Sequence, residues 1–359
     1  MFEVAVIGGG PAGAAAAITA ARAGTSIVML EAGDFPRHKV CGEFVSAESL
    51  ALLRELVREH PQAHEIFHEA PLIESARFFH GHRVARMQIA PAAISIPRYT
   101  LDLLLWESAI QAGVTARARC EVQSIEGEGP FSIRTSQGEV RAGAVIVCTG
   151  RWSRFSQVTE LPVGPRWLGL KAHYRERNPA QCSDLYFFEH GYCGVQPVGR
   201  DLVNVCAMVR ADVATSLEQV FRRSAPLAAR AESWEVLMPA ATTSPLVYRT
   251  PEPVRGKLLL AGDAAAFIDP FVGDGIALAL RSGQTAVQCL QPFLGGQIPI
   301  EVAAEDYQRI YGRDFLPAIT AAAQVRNLHY LPEFGRSIAL QLFRIPGVLP
   351  YLMRRTRSA

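Results

Sequence analysis

The chain has 359 residues, 49% of them hydrophobic and 19% charged, and its 36 basic and 34 acidic side chains leave a net charge of +2. That is enough apolar material for a sizeable core and too little charge for a disordered chain, and no Lys/Arg block marks a nucleic-acid surface. The length fits two domains, consecutive or interleaved. Seven cysteines (Cys41, Cys120, Cys148, Cys182, Cys193, Cys206 and Cys289) include no CxxC pair. Their odd number and scattered spacing argue against a disulfide framework or zinc ribbon, so reduced thiols in a cytoplasm are expected. Met1-Phe2-Glu3 and the glycine-broken run after it do not read as a signal peptide, and no apolar stretch reaches the length of a membrane span.

Val4-Ala5-Val6-Ile7 is wholly apolar and suits a strand buried on both faces of a parallel sheet. It runs into Gly8-Gly9-Gly10-Pro11-Ala12-Gly13, which fits G-x-G-x-x-G. A small-residue helix from Ala14 to Ala23 follows, stopped by Gly24, and a second buried strand, Ser26 to Leu30, ends in Glu31. The pattern is that of a dinucleotide site. Gly8 allows the tight turn, Gly10 lets the backbone approach a pyrophosphate, and Gly13 lets helix and strand pack closely. The helix start offers unpaired N–H groups to phosphates. Glu31 is placed to accept hydrogen bonds from a ribose diol. The glycines alone leave open whether the nucleotide is FAD or NAD.

Pro36-Arg37-His38-Lys39-Val40-Cys41-Gly42-Glu43-Phe44-Val45-Ser46 follows. His60, His64 and His68 come next, after a helix start at Pro61. With no carboxylate–cysteine set to complete a metal site they read as a solvated helix, and no metal is expected. Residues 73–89 alternate in a β-like way. In Pro97-Arg98-Tyr99-Thr100-Leu101-Asp102-Leu103-Leu104-Leu105, Leu101, Leu104, Leu105 and Ser108 share one helix face, so the leucines are core. Short strands are expected from Val114 to Val140, with a turn at Gly127-Glu128-Gly129-Pro130. Val145 to Gly150 is a further apolar strand ending in glycine. Residues 167–209 are again β-rich and suit a second, antiparallel sheet made by two insertions that meet across a substrate cavity. His173 and His190 fall there, each open to an acid/base role or to plain packing. Gly256 to Ala265 reads as a strand ending in Gly262-Asp263. Pro270, Gly273, Asp274 and Gly275 then lead into a helix from Ile276 to about Leu290.

These stretches together resemble the FAD-dependent oxidoreductases of the aromatic-hydroxylase and geranylgeranyl-reductase superfamily. The resemblance runs from residue 4 to residue 290. It implies an α/β fold: a FAD-binding Rossmann-like domain of the glutathione-reductase type, with an interleaved antiparallel-sheet substrate domain. The FAD-binding domain is expected at 1–72, 98–165 and 250–295, the substrate domain at 73–97 and 166–249, and a C-terminal helical lid or tail at 296–359. By the same resemblance Asp263 holds the ribityl chain, and Gly273 to Ile276, with Gly275, approach the isoalloxazine. A helix start there stabilises the negative charge of the reduced ring. Asp274, awkward beside that charge, is expected to cap the helix.

The Lys39-x-Cys41-Gly42…Ser46 stretch matches the geranylgeranyl-reductase-like branch and implies a loop passing the flavin. Arg98 is implied to reach the FAD phosphates, a task that suits a guanidinium. The cofactor set is Gly8, Gly10, Pro11, Ala12, Gly13, Glu31, Ala32, Lys39, Cys41, Gly42, Arg98, Gly150, Gly262, Asp263, Gly273, Gly275 and Ile276. Cys41, Ser46 and Tyr192 are candidates for the chemistry, Cys41 either tuning the flavin or serving as a passive small hydrophobe.

The chain also departs from the family. Many hydroxylases continue the strand before Gly150 with Ala-Asp-Gly, whose Asp-Gly pair serves both flavin and nicotinamide binding. Here Thr149-Gly150-Arg151-Trp152-Ser153-Arg154 stands instead. Arg151 and Arg154 are open to a phosphate or a solvated role. The Trp-x-Trp-x-Ile-Pro motif of flavin halogenases is absent. The Tyr-x-Trp-x-Phe-Pro of prenyl reductases is replaced by Tyr192-Cys193-Gly194-Val195-Gln196-Pro197, which implies a wider, more polar pocket.

The first reading is therefore a flavin monooxygenase acting on a small hydrophobic or aromatic, polyketide-like substrate. The second is a geranylgeranyl-reductase-like reductase or dehydrogenase of C=C bonds, and the third a FAD-binding electron-transfer partner without its own turnover. NADPH or NADH is the candidate electron donor and a separate flavin reductase a candidate partner. From Phe334 an apolar and basic stretch, broken by Pro346 and Pro350, reads as a lid over the substrate domain or as a peripheral membrane contact, with the lid preferred.

Overall fold

The computed structural model describes residues 1–151, 155, 166–243 and 245–327. The chain begins β1 (Phe2–Ile7), α1 (Pro11–Arg22), β2 (Ile27–Leu30), β3 (Phe44–Val45), α2 (Ala47–Leu56), α3 (Ala63–Glu69), β4 (Leu72–His80), β5 (Arg83–Ser95) and α4 (Arg98–Gln111). It continues β6 (Thr115–Arg117), β7 (Val122–Glu126), β8 (Phe131–Thr135), β9 (Gly138–Val147), β10 (Trp167–Arg175), β11 (Cys182–Phe188), β12 (Gly191–Gly199) and β13 (Leu202–Arg210). The last described part is α5 (Leu217–Phe221), α6 (Ala225–Ala231), β14 (Glu235–Thr243), β15 (Val254–Arg255), β16 (Leu258–Leu260), α7 (Gly275–Leu294), α8 (Ile300–Asp314) and α9 (Leu316–Asn327).

The wholly apolar runs at Val4–Ile7, Ile27–Leu30 and Val145–Val147 have no solvated face to offer and become the centre of a parallel sheet. Its strand order is β15-β16-β9-β1-β2-β6, and the β7–β8 pair is joined through β9. β1 lies parallel to both β2 and β9, and β16 parallel to β9. The α1 crossover between β1 and β2 packs against α4 and α7. The alanines Ala14 to Ala17, all fully buried, let it sit close to the sheet. Tyr307 of α8 is also fully buried and donates its hydroxyl to the Leu260 carbonyl at 2.9 Å, fixing α8 to the end of β16.

A second sheet has the order β14-β10-β13-β12-β11-β4-β5-β3. It departs from the expected arrangement at two places. β4, from the first insertion, joins β11, from the second, in parallel, so the sheet is antiparallel within each insertion and parallel where they meet. β3, expected in the nucleotide-binding part, pairs with the end of β5 and belongs to this sheet. The loop from Arg37 to Glu43 therefore bridges the two sheets.

Strand alternation sorts each strand's residues between the two faces. On the inward face, register pairs Gln196 with Asn204, Gly194 with Cys206 and Tyr192 with Met208. Leu185 lies beside Gly194 and Phe187 beside Tyr192. The same face of β10 carries Gly169, Lys171 and His173, paired with Met208, Cys206 and Asn204. No helix among the described residues is long and apolar enough to cross a membrane.

Candidate functional site: the cavity between the two sheets

A cavity of about 1040 Å³ lies between the parallel sheet and the inward face of the second sheet. Gly8, Gly10, Pro11, Ala12, Glu31, Ala32, Lys39, Cys41, Gly42, Arg98, Gly150, Gly262, Asp263, Gly273, Gly275 and Ile276 all line it, as does Tyr192. Gly13 does not: a Cβ there would sit 1.8 Å from the Gly8 carbonyl oxygen, so this glycine is what lets α1 meet the turn. Gly8 has φ +106°, and a Cβ on it would lie 2.4 Å from the Cys148 carbonyl oxygen. Gly10 differs, because a Cβ there meets nothing within 4 Å. It stands at the start of α1 with Pro11 following, and the first N–H groups of a helix have no partner within it.

Glu31 ends β2 and is 7% exposed. Its Oε2 accepts the Gly9 N–H at 2.8 Å and its Oε1 the Gly33 N–H at 2.8 Å, while the Arg37 guanidinium spans both oxygens. Burial opposes the charge, but the Arg37 hydrogen bonds, its positive charge and the two N–H groups outweigh it, and the carboxyl is held below its ordinary value. Arg98 is engaged rather than free. It forms a two-pronged pair with Asp102 at 2.6 and 2.7 Å from the cavity wall, with Asp102 fully buried.

On the opposite side, Asp263 follows β16 in a short turn. Burial raises its pKa, against the pull of Arg151 and Arg98. Gly262 before it has φ +61°, and its N–H is held by the Ser282 hydroxyl at 2.8 Å. A Cβ on Gly273 (φ +71°) would come 3.1 Å from the Phe44 ring, so the turn before α7 meets the start of β3. Asp274 occupies the position before α7 but makes no side-chain cap. Its Oδ1 lies 3.4 Å from the Ser46 hydroxyl, and the expectation that it caps the helix is corrected. The side chain that does cap is Asp269, accepting the Phe271 N–H at 3.0 Å ahead of the Pro270–Val272 turn.

Ser46 is also corrected. It is 1% exposed, bonds to Ser49 and Asp274, and lies outside the cavity lining. Glu43 turns the chain through a left-handed φ of +62°, and the residues after it enter β3 and leave the site. His60 is not on a helix face with His64 and His68. It precedes α3, is buried, and pairs with Glu107 at 3.0 Å, while the other two are exposed and stacked on each other. No group of three metal-ligating side chains occurs among the described residues. His190 sits in the turn between β11 and β12 beside Glu189. Arg151 lines the cavity, stacks over the Phe267 ring at 4.4 Å and donates to the Thr243 hydroxyl at 2.9 Å. Arg154 and the apolar, basic stretch from Phe334 lie outside the described residues.

The residues that sequence reading missed are Glu43, Lys171 and Asn204. Glu43 and Lys171 are fully buried and form a direct ion pair, and His173 Nε2 lies 2.8 Å from the other Glu43 oxygen. Asn204 donates to the Cys41 and Gly42 carbonyls at 3.0 and 2.9 Å. Lys171, His173 and Asn204 all lie more than 100 residues from the loop they hold, so no local spacing signals them.

The second-sheet residues lining the cavity carry no carboxylate and no histidine. They grade from Gln196 and Asn204 to an apolar part made by Phe78, Met87, Leu185, Tyr192 and Met208, which Phe271 closes from the other side with its ring 5.8 Å from that of Tyr192. Burial, followed by the charge of Asp269, pushes the Tyr192 phenol well above its ordinary value.

A glycine turn with an open cradle at Gly10, an acid at the end of the second strand and a half-buried acid after the last strand, all on one cavity, make a dinucleotide-binding site. The residues fit FAD: the Gly10 position leaves room for a pyrophosphate against the helix start, and the cavity runs on to the Gly273 turn. The model of the FAD binding domain family (FAD_binding_3) matches residues 1–303, and the chain belongs to that family. It is a FAD-dependent oxidoreductase.

Among its relatives is a menaquinone reductase of Mycolicibacterium smegmatis, 27% identical over 328 residues that cover 80% of this chain and 76% of that protein. A digeranylgeranylglycerophospholipid reductase of Methanoculleus marisnigri is 28% identical over 321 residues, covering 80% of this chain and 76% of the other. In fold, the chain is similar to a flavin-dependent brominase, with a TM-score of 0.82 and 18% identity over 99% of this chain and 93% of the other.

Proposed function

We propose that this oxidoreductase is a reductase that adds hydrogen across a carbon–carbon double bond of a lipophilic substrate. The observation that carries the reading is the makeup of the cavity floor. Tyr192, a phenol kept protonated by burial, stands among apolar walls, with no carboxylate or histidine on the second-sheet face that lines the cavity. Reduction of an alkene requires a proton donor. Hydroxylation of a phenol requires a base to take the phenolic proton, and the floor offers none. The names of the two relatives above, both reductases, point the same way.

The Gly8–Gly13 turn, Glu31 and Asp263 would hold FAD, which would supply the hydride chemistry. The apolar floor positions the double bond, Phe271 excludes water, and Tyr192 Oη delivers the proton to the carbon that does not receive hydride. The phenol is then reprotonated from solvent through the open side of the cavity. Cys41 and Cys206 line the same space. Burial pushes the Cys206 thiol up to about 12, so it stays neutral and packs as a small apolar group. NADPH or NADH supplies the electrons in this reading.

The test uses the FAD-loaded protein with a prenylated quinone under anaerobic conditions in heavy water, and in parallel under ¹⁸O₂. The expected product carries deuterium and no ¹⁸O. Tyr192→Phe is expected to lower kcat about 100-fold, with the flavin still bleached by NADPH or NADH at the wild-type rate. A product containing ¹⁸O would establish oxygenation instead and overturn the reading.

A further inference from the structure

The Arg37–Glu43 loop is held by the second sheet through three of its backbone carbonyls and one side chain. Lys171 Nζ donates to the Lys39 carbonyl at 3.1 Å and pairs with Glu43 Oε1. Asn204 Nδ2 donates to the Cys41 and Gly42 carbonyls. His173 Nε2 sits on Glu43 Oε2, and the Arg98 backbone N–H reaches Glu43 Oε1 at 2.7 Å. All four residues are at most 5% exposed. A trans peptide points its N–H opposite to its carbonyl. Fixing the Lys39 and Cys41 carbonyls on the sheet therefore turns the Val40 and Gly42 N–H groups away from it, and both residues line the cavity.

Two features say that this arrangement is more than scaffold. Glu43 keeps a left-handed backbone (φ +62°) that side chains rarely adopt, so the surroundings must hold it there. A buried lysine–glutamate pair is also a poor source of stability compared with apolar residues of the same volume. We propose that Glu43 is a positioning residue for the cofactor. With Lys171, His173 and Asn204 it fixes the Val40–Gly42 peptides beside the bound flavin, and so sets FAD affinity and the flavin's reduction potential from the substrate sheet. The inference goes beyond the reductase reading and does not depend on it, because its readouts need no substrate.

The charged and titratable groups facing Glu43 are Lys171 and His173 from β10, Arg98 at the start of α4 through its backbone N–H, and, behind His173, the His38 ring with its centroid 5.6 Å away. Removing one partner alone strands a buried charge, so the test replaces both. The double variant Glu43→Gln/Lys171→Met is compared with Asn204→Leu, which removes the two donors to the loop carbonyls and leaves the ion pair intact.

Apoprotein melting, FAD binding by quenching of flavin fluorescence, and the potential against a reference dye are measured on each full chain. Both variants are expected to melt near the wild type and to bind FAD at least about tenfold more weakly. The balance of reduced over oxidised flavin should shift at least about tenfold in each, about 30 mV for a two-electron couple. Folded variants with wild-type affinity and potential would overturn the proposal. A double variant that does not fold would make the cluster a folding element and overturn it too. A shift in the double variant alone would assign the effect to the charges rather than to the place of the loop, with the same consequence.

Discussion

Gly10 and Gly13 stand three residues apart in one turn, and the structure gives them opposite reasons for having no side chain. A methyl on Gly10 would meet nothing within 4 Å, and its backbone (φ −75°, ψ −174°) is one that alanine adopts freely. Gly10→Ala should therefore leave the apoprotein unharmed. By restricting the unfolded chain it should add about 0.4–1 kcal/mol, a rise of about 1–3 °C in melting temperature. The same methyl occupies the approach of the pyrophosphate to the helix start, so FAD affinity should fall at least about tenfold, or about 1.4 kcal/mol.

Gly13→Ala should do the reverse to the fold. Its methyl would lie 1.8 Å from the Gly8 carbonyl oxygen, so helix or turn must yield by more than about 1 Å. Overpacking of that kind costs about 1–3 kcal/mol, more than the roughly 1 kcal/mol alanine gains in a helix. The net loss is expected to lower the apoprotein melting temperature by a few degrees. Melting curves of the two apoproteins and flavin-fluorescence titrations check both halves. A Gly10→Ala chain that binds FAD like the wild type, or a Gly13→Ala chain that melts with it, would refute the division of labour argued for this turn.

Asp263→Ala tests the ribityl contact that the family resemblance implies and should lose bound FAD. Its apoprotein should stay folded, because burial already disfavours this carboxylate, and a yellow purified variant would contradict the assignment. Glu31 has a folded pKa below its ordinary 4.5. Its contribution to stability is present above that value and is lost as pH falls through the lower, folded one. Glu31→Gln should therefore be less stable than the wild type at pH 7, and the gap should close in acid; a gap that is constant with pH would exclude the linkage. Gly194 offers open floor, its imagined Cβ no closer than 3.6 Å to any atom. Gly194→Leu should keep FAD affinity and kcat while raising KM for a bulky substrate, which a KM–kcat comparison against a small quinone would check.

The legible part of this molecule was local. Strand, glycine turn, helix, strand and Glu31 lie within the first 31 residues, and each step is dictated by a neighbour in the chain. The apolar runs at Val4–Ile7 and Val145–Val147 likewise identified themselves as central strands, because a strand with no polar face has nowhere else to go. The failures came where sequence adjacency was taken as spatial adjacency. The family resemblance sets Ser46 with Cys41 on one loop, but the left-handed turn at Glu43 sends the chain into β3 and away from the cavity. Asp274 sits at the right position to cap α7, yet its carboxylate turns toward Ser46.

Glu43 shows why the remainder was hidden. In sequence it is an ordinary acid inside a glycine-containing loop. Its meaning comes from Lys171, 128 residues on, and His173, 130 residues on, which reach it only because β10 runs along the inward face of the second sheet. Alternation explains how this comes about. Gly169, Lys171 and His173 share that face, and Gly169 leaves space for Val40: a Cβ there would stand 3.0 Å from its side chain. One strand thus supplies in three alternate residues the room, the cation and the imidazole that the loop requires. The parallel sheet could bind a dinucleotide by its turn alone. The Arg37–Glu43 loop is shaped by the other sheet, so in the positioning role proposed for Glu43 a change on that sheet's inward face reaches the cofactor through a few buried hydrogen bonds.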